Sequence, residues 1–355
     1  MSDDAMLPSV SRQAELGRSD FYDRARQLNL APLWRVLNGL VAEQPRASTV
    51  PATFKYDDIR PLLMEVCHLI STEEAERRVL VLENPGLPGQ SRITPSLFAG
   101  LQVILPGEIA PAHRHTASAL RFIVEGSGAY TAVGGERTTM EEGDFVITPS
   151  WRWHDHGNES DAPMVWLDGL DMHIVNLLSC SFRESYPGAM QPLNRPEGSA
   201  WAEAGSNLLP IDYKGENQTT PIFNYPYRVT REALDRLARF RDPDPCHGFR
   251  MRYINPVTGG PAIPTLSTDM QLLPKGFRGE PYRCTAGTVF GVVEGTGVAR
   301  IGDQSFTWGP RDHFVVPSWF PLQLEATSES VIFSFSDRAV QEKLDMFRER
   351  RGHDA

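Results

Sequence analysis

Four cysteines, Cys67, Cys180, Cys246 and Cys284, are all that 355 residues contain, and they are widely scattered with no CxxC pair. That spacing excludes a disulfide framework and fits a reduced, cytoplasmic protein. No stretch reaches the roughly 18–20 apolar residues of a membrane span. The opening segment MSDDAMLPSVSRQAEL is acidic and polar and lacks a signal-peptide core. Lysine and arginine form no long runs, the formal net charge is −10 and the pI is near 5.4. A phosphate-binding surface needs clustered cations, so nucleic acid is excluded as a partner. A small anionic substrate is not, because one or two placed arginines suffice.

What is present is ordinary globular composition, 41% hydrophobic and 23% charged, in a chain long enough for two cores of about 100–150 residues. Residues 12–46 repeat apolar side chains at three- and four-residue spacing and read as helical, with Pro32 opening a second helix and Gly39 weakening it. YDDIRPLLMEVCHLIS continues in helical pattern before ERRVLVLENPG turns extended. From there to about residue 178, short strands alternate with Gly, Pro and Asp at the spacing of an all-β barrel or jelly roll. Residues 179–250 are rich in Pro, Asn and Gly around one good helix, TREALDRLARF. Strands return over 251–337, and RAVQEKLDMFRERR reads as a charged closing helix.

Two segments repeat one another. VEGSGAYTAVGGERTTMEEGDFVITPSW at 124–151 aligns with VEGTGVARIGDQSFTWGPRDHFVVPSW at 293–319, offset by 169 at the VEG glycine (126 to 295) and by 168 at PSW (149 to 317). A duplicated β-barrel module explains shared motifs at near-constant separation.

Five of the nine histidines, His113, His115, His154, His156 and His173, fall in one 61-residue window. In a strand, residues i and i+2 point to the same side, so each HxH pair projects together into a barrel. Neutral imidazole is the commonest ligand for a divalent transition metal, whereas a lone histidine would more simply be core. In the second pair one ring suffices as ligand while its neighbour supports it.

These residues resemble the cupin family. Gly107, His113, His115 and Gly126 fit its first motif, although Ala119 stands where the motif has Glu; Gly143, Pro149, His154 and Asn158 fit its second, with Trp151 in place of a Gly. The corresponding positions of the second copy hold Tyr282, Cys284, Thr288 and Leu322, which make no ligand set. More narrowly, APAHRHTASALRFIVEG, GDFVITPSWRWHDHGN and VWLDGLD resemble the gentisate 1,2-dioxygenases, with likeness extending from LNLAPLWRVL to the last barrel; salicylate and 1-hydroxy-2-naphthoate dioxygenases share the architecture. The resemblance implies a mainly β bicupin: a helical region over 1–75, a metal-binding jelly-roll barrel over 76–178, a helix-containing linker over 179–250, a degenerate second barrel over 251–337 and a closing helix over 338–355.

It also implies one Fe(II) per chain, held by His113, His115 and His154 in the first barrel, a small aromatic hydroxy acid and O2 as substrates, and a homotetramer. Ala119 removes a carboxylate that would have offset the metal's charge, which suits a substrate chelating through its own carboxylate and phenolate. Arg121 is the first candidate for the substrate carboxylate, because a guanidinium gives planar, bidentate recognition. By resemblance Arg77 also faces the ligand, its neighbour Arg78 pointing the other way. His156 is assigned as acid–base partner. Asp168 is taken to fix an imidazole tautomer or contact a hydroxyl, Gln102 to hydrogen-bond near the substrate and Phe98 to wall the pocket. His173 has no assigned role. Two other readings stay open on the residues alone: a Lewis-acid isomerase or decarboxylase that uses no O2, and a binding module without catalysis.

Overall fold

The computed structural model describes residues 12–206, 208–215, 219–352 and 355, which fall into two compact units divided after Arg46. In the first, α1 (Arg12–Gln27) and α2 (Leu33–Leu40) meet through Phe21 stacked on Trp34, whose indole N–H donates to the Tyr22 hydroxyl at 3.2 Å. Pro32, its φ preset near −65°, stands immediately before α2. Among the described residues, no helix is long and apolar enough to cross a membrane.

In the second unit antiparallel strands build two barrels, each from a six-stranded and a five-stranded sheet. In the first barrel the larger sheet runs β12 (Asn224–Tyr225), β8 (Phe145–Thr148), β5 (Ala119–Glu125), β10 (Met164–Leu170), β3 (Phe98–Ile104) and β2 (Arg78–Val81). The smaller runs β11 (Arg183–Ser185), β4 (Ile109–His115), β9 (His154–Asn158), β6 (Ala129–Val133) and β7 (Glu136–Thr139). The second barrel repeats this plan. Its larger sheet runs β1 (Ala52–Phe54), β19 (His313–Val316), β16 (Thr288–Glu294), β21 (Ser330–Ser336), β14 (Ser267–Leu273) and β13 (Phe249–Arg252). Its smaller runs β18 (Gln304–Trp308), β17 (Gly297–Ile301), β20 (Leu322–Ala326), β15 (Tyr282–Cys284) and β22 (Glu349–Arg351). Helices α3 (Tyr56–Leu69), α4 (Thr72–Ala75), α5 (Met172–Leu177), α6 (Ser199–Ala204), α7 (Tyr227–Phe240) and α8 (Arg338–Lys343) complete the unit.

Alternation sorts the side chains. On the first barrel's larger sheet, Leu101, Val103, Leu120, Phe122, Ile147, Val165 and Leu167 enter one large core shared with Met270, Val289, Phe333 and Phe335 of the second barrel. The rings of Phe122 and Phe333 stack there at 4.3 Å and 5°. Ile104, Ile123, Val146, Met164 and Trp166, one residue out of phase, fill the first barrel's interior. The segment LRFIV is thus buried on both faces, and the inward face carries Arg121 and Asp168 among the apolar side chains.

The closing helix over 338–355 is corrected. Helix α8 ends at Lys343, Asp345 takes a left-handed φ of 55°, and residues 349–351 form a strand with Arg351 opposite Tyr282. Pairing with β15 and the Arg351–Asp244 ion pair outweigh the local helical preference. Segments on either side of the barrels also join their sheets: β1 pairs with β19, and β11 and β12 pair with β4 and β8.

Candidate metal centre

Strand β4 delivers His113 and His115 to the barrel interior, and β9 delivers His154 directly opposite His113. A bulge between Ala110 and His113 sets this register. At the end of β4, the backbone N–H of Trp151 donates to the His115 carbonyl at 2.8 Å. Trp151, standing where the cupin motif has Gly, keeps the left-handed φ of 61° that a glycine would adopt freely. The Arg114 guanidinium lies 4.4 Å from its ring centroid and helps hold it.

The three rings have centroids 4.2–5.2 Å apart, and one ring nitrogen from each lies within 4.8 Å of the others. Backbone carbonyls sit beside the Nδ1 atoms: Pro111 at 3.3 Å from His113, Ala117 at 2.7 Å from His115 and Arg152 at 2.9 Å from His154. A carbonyl accepts only from Nδ1–H, which leaves Nε2 as the lone-pair nitrogen in His115 and His154; His113 Nδ1 also has the Arg77 guanidinium beside it. The Nε2 of His154 is buried with no hydrogen-bond partner. Burial is the first cause that depresses all three pKa values, His113 to about 3 and His115 to about 4, with His154 well below the ordinary value. Neutral donors converging on one point, one of them orphaned, fit a divalent metal.

Around the triad the structure brings together Arg77, Arg121, Asp168 and His156, while Arg78 and His173 make their contacts elsewhere. Arg121 is fully buried; one terminal nitrogen donates to Thr148 and its Nε lies 3.5 Å from Asp168. Asp168 accepts the Trp166 indole N–H at 3.1 Å, and burial pushes its carboxyl up to about 6 against the opposing pull of Arg121 and then Arg77. Arg77 Nη2 lies 2.7 Å from His113 Nδ1 and 3.1 Å from the Pro111 carbonyl, and desolvation brings its pKa down to about 10. Arg78 takes the opposite direction and pairs with Glu108. His156 is fully buried, its Nδ1 2.9 Å from the Thr131 hydroxyl and its Nε2 without a partner. Gln102 lies beside Trp166 in the β3–β10 register, and Phe98 begins β3 on the same face. His173 hydrogen-bonds the Ser91 carbonyl at 3.1 Å.

Residues 100–170 match the cupin domain. The chain is 53% identical to gentisate 1,2-dioxygenase 1 of Aquipseudomonas alcaligenes over 97% of its own length and 98% of that protein's. It belongs to the gentisate 1,2-dioxygenase family. A 1-hydroxy-2-naphthoate 1,2-dioxygenase of a Nocardioides species is 34% identical, with 94% and 84% of the two chains covered. Salicylate 1,2-dioxygenase from Pseudoaminobacter salicylatoxidans, solved as adducts with gentisate, superposes with a TM-score of 0.90 at 32% identity over 98% and 96% of the chains.

In this gentisate dioxygenase family member the second barrel preserves the scaffold without the donors. Tyr282 faces Leu322 across β15 and β20, as His113 faces His154. Cys284 Sγ donates to the Ala286 carbonyl at 3.5 Å, as His115 does to Ala117. Trp319 repeats the left-handed turn of Trp151 with φ 67°, and its N–H donates to the Cys284 carbonyl at 2.7 Å.

Sequence reasoning missed Thr131, Thr148 and Trp166, which orient His156, Arg121 and Asp168. Thr131 is the register partner of His156 and Thr148 stands two rungs along β8 from Val146, the partner of Arg121. Only strand pairing reveals them. Asp168, expected to fix an imidazole tautomer or contact a hydroxyl, contacts Arg121 and Trp166 here, and the hydroxyl of Thr131 is what lies on His156 Nδ1.

Proposed function

We propose that this protein is an Fe(II)-dependent ring-cleaving dioxygenase that converts gentisate and O2 to maleylpyruvate in aromatic catabolism. The observation that carries the reading is the convergence of His113, His115 and His154 beside two inward-facing guanidiniums. A ferrous ion held by these three imidazoles supplies the redox chemistry that couples an electron-rich ring to O2.

The chain's own groups bind and orient the ring. Arg121 and Arg77 offer cationic donors to the substrate carboxylate, and Ala119 leaves room and positive charge for an ortho phenolate. Arg77 donates to Nδ1 of His113 only while that nitrogen lacks a proton. With a metal held at Nε2, Nδ1 would carry the proton and donate to the Pro111 carbonyl, and Arg77 would be free to receive an anion. His156 is the acid–base partner: with Nδ1 donating to Thr131, whose hydroxyl donates to Met140 Sδ at 3.2 Å, its bare Nε2 accepts a ring hydroxyl proton. Gln102 and Phe98 line the same face and complete the ring's surroundings. In the overall change, the bond between the carboxyl-bearing and hydroxyl-bearing carbons breaks. One atom of O2 makes the first a ketone and the other makes the second a carboxylate.

Gentisate is favoured over salicylate and 1-hydroxy-2-naphthoate because its second hydroxyl makes the ring easier to oxidise. The four free thiols suit a reducing cytoplasm. A homotetramer is in keeping with the family resemblance and with the exposed apolar side chains of Leu33, Trp34, Leu37 and Leu40 on α2. Oxygen uptake on adding each hydroxybenzoate to Fe(II)-loaded protein tests the reading, with one O2 consumed per gentisate as the expected result. A flat trace with metal and gentisate both bound removes the dioxygenase in favour of non-oxidative or binding-only alternatives.

A further inference from the structure

The peptide group joining Ala117 to Ser118 has a partner at each end. Its carbonyl accepts from His115 Nδ1 at 2.7 Å, and its N–H donates to Asp171 Oδ1 at 2.8 Å. Asp171 sits just before α5 and is almost wholly buried. Its other oxygen accepts the hydroxyl of Thr265, which lies two residues before β14 of the second barrel.

The duplication repeats this device. Asp337, just before α8, accepts the Gly287 N–H at 3.0 Å, and the carbonyl of that same peptide, Ala286, accepts from Cys284. The second oxygen of Asp337 accepts the Ser96 hydroxyl at 2.6 Å, two residues before β3 of the first barrel. Each barrel thus braces the other's aspartate. The difference is what stands at the far end of the peptide: an imidazole in one barrel and a thiol in the other.

We propose that Asp171 is a positioning residue for the metal ligand His115, acting through the single peptide between Ala117 and Ser118, and that Thr265 of the second barrel fixes Asp171 in turn. A carboxylate on the N–H polarises the amide, so its carbonyl becomes a stronger acceptor for Nδ1–H. That locks the ring's tautomer and orientation and raises the donor strength of Nε2, as a carboxylate bonded directly to a ligating histidine does. The second barrel gains a function on this account: without a metal of its own, it steadies one ligand of its neighbour's.

The inference rests on the metal site proposed above, so the test reads metal binding directly. Co(II) is titrated into wild-type protein and into Asp171→Asn, Asp171→Ala, Thr265→Val and Asp337→Asn, with affinity measured against a competing chelator. The paramagnetically shifted, exchangeable ring N–H signals of the three ligands are recorded for each. Asp171→Asn and Asp171→Ala are expected to weaken Co(II) roughly 10- to 100-fold and to move one of the three signals while the other two stay. Thr265→Val moves the same signal by less. Asp337→Asn, the matched brace on the thiol side, changes neither. Should Asp171→Asn misfold, Thr265→Val, which keeps the carboxylate, carries the test. The proposal is overturned if a folded Asp171→Asn keeps wild-type affinity with all three signals in place, or if Asp337→Asn weakens Co(II) equally. Failure of wild-type protein to take up Co(II) at all would instead remove the metal site itself.

Discussion

His154 and His156 share a strand face and differ in company. The first lies 4.2 Å and 4.9 Å, centroid to centroid, from the other two ligands; the second lies 5.8 Å from His154, near Trp166, with Thr131 on its Nδ1. His113→Ala is therefore expected to lose bound metal and all turnover. His156→Ala should keep its metal and lose about 10²–10⁴-fold in rate, measured as oxygen uptake beside metal content. Equal metal loss in both would show the second pair misassigned. Asp168 is expected to set a pH dependence. Desolvation raises its carboxyl to about 6, so the anion that balances Arg121 disappears as the pH falls through 6. An acid limb in kcat/KM near that value is expected, and Asp168→Asn should abolish the limb along with most of the rate. The stability linkage has the opposite sense: the protonated, buried carboxyl favours the folded state below the unfolded value near ~4, and that contribution is lost as the pH rises through 6.

Strand β10 shows how one element serves both a site and a core. Trp166 and Asp168 point inward, while Val165 and Leu167 enter the core shared by the barrels. Gly169 has the phase of the shared-core residues, where an added Cβ would stand 2.8 Å from the Phe335 ring and 2.9 Å from Leu120 Cγ. Gly169→Ala is expected to cost about 1–3 kcal/mol by overpacking, read as a lowered melting temperature; an unchanged midpoint would mean the two sheets separate easily. This alternation is where the sequence was legible. HxH spacing places His113 with His115 and His154 with His156, and the VEG and PSW repeats disclose two barrels. Elements whose existence depends on a remote partner were not legible. Strand β1 lies in a helical-looking region and pairs with a strand some 260 residues away, as Thr53 opposite Phe314 illustrates. Glu349–Arg351 has helical composition but takes its conformation from β15. Thr131 and Thr148 carry no motif; their roles come from register.

At the scale of the whole molecule, two barrels of one design hold one set of donors. The second barrel's candidates fail for separate reasons. The Tyr282 hydroxyl donates to Glu349 at 2.8 Å, and burial, reinforced by that bond, pushes its phenol well above the ordinary range. Burial likewise pushes the Cys284 thiol up, and a thiol that stays protonated is a poor metal ligand. Leu322 has no lone pair to offer at the position matching His154. His247, edge-on to Tyr282 at 4.4 Å, is a single imidazole, and Arg250, Arg283 and Arg338 place cations around a cavity of about 20 Å³. Within this lining a divalent ion would meet positive charge and a single neutral imidazole, too few donors to hold it. Metal analysis of freshly purified protein should therefore give close to one ion per chain, and Tyr282→Phe and Cys284→Ala should leave that ratio unchanged. Two ions per chain in the wild type, or a fall in either variant, would mean that the second barrel binds metal despite its chemistry.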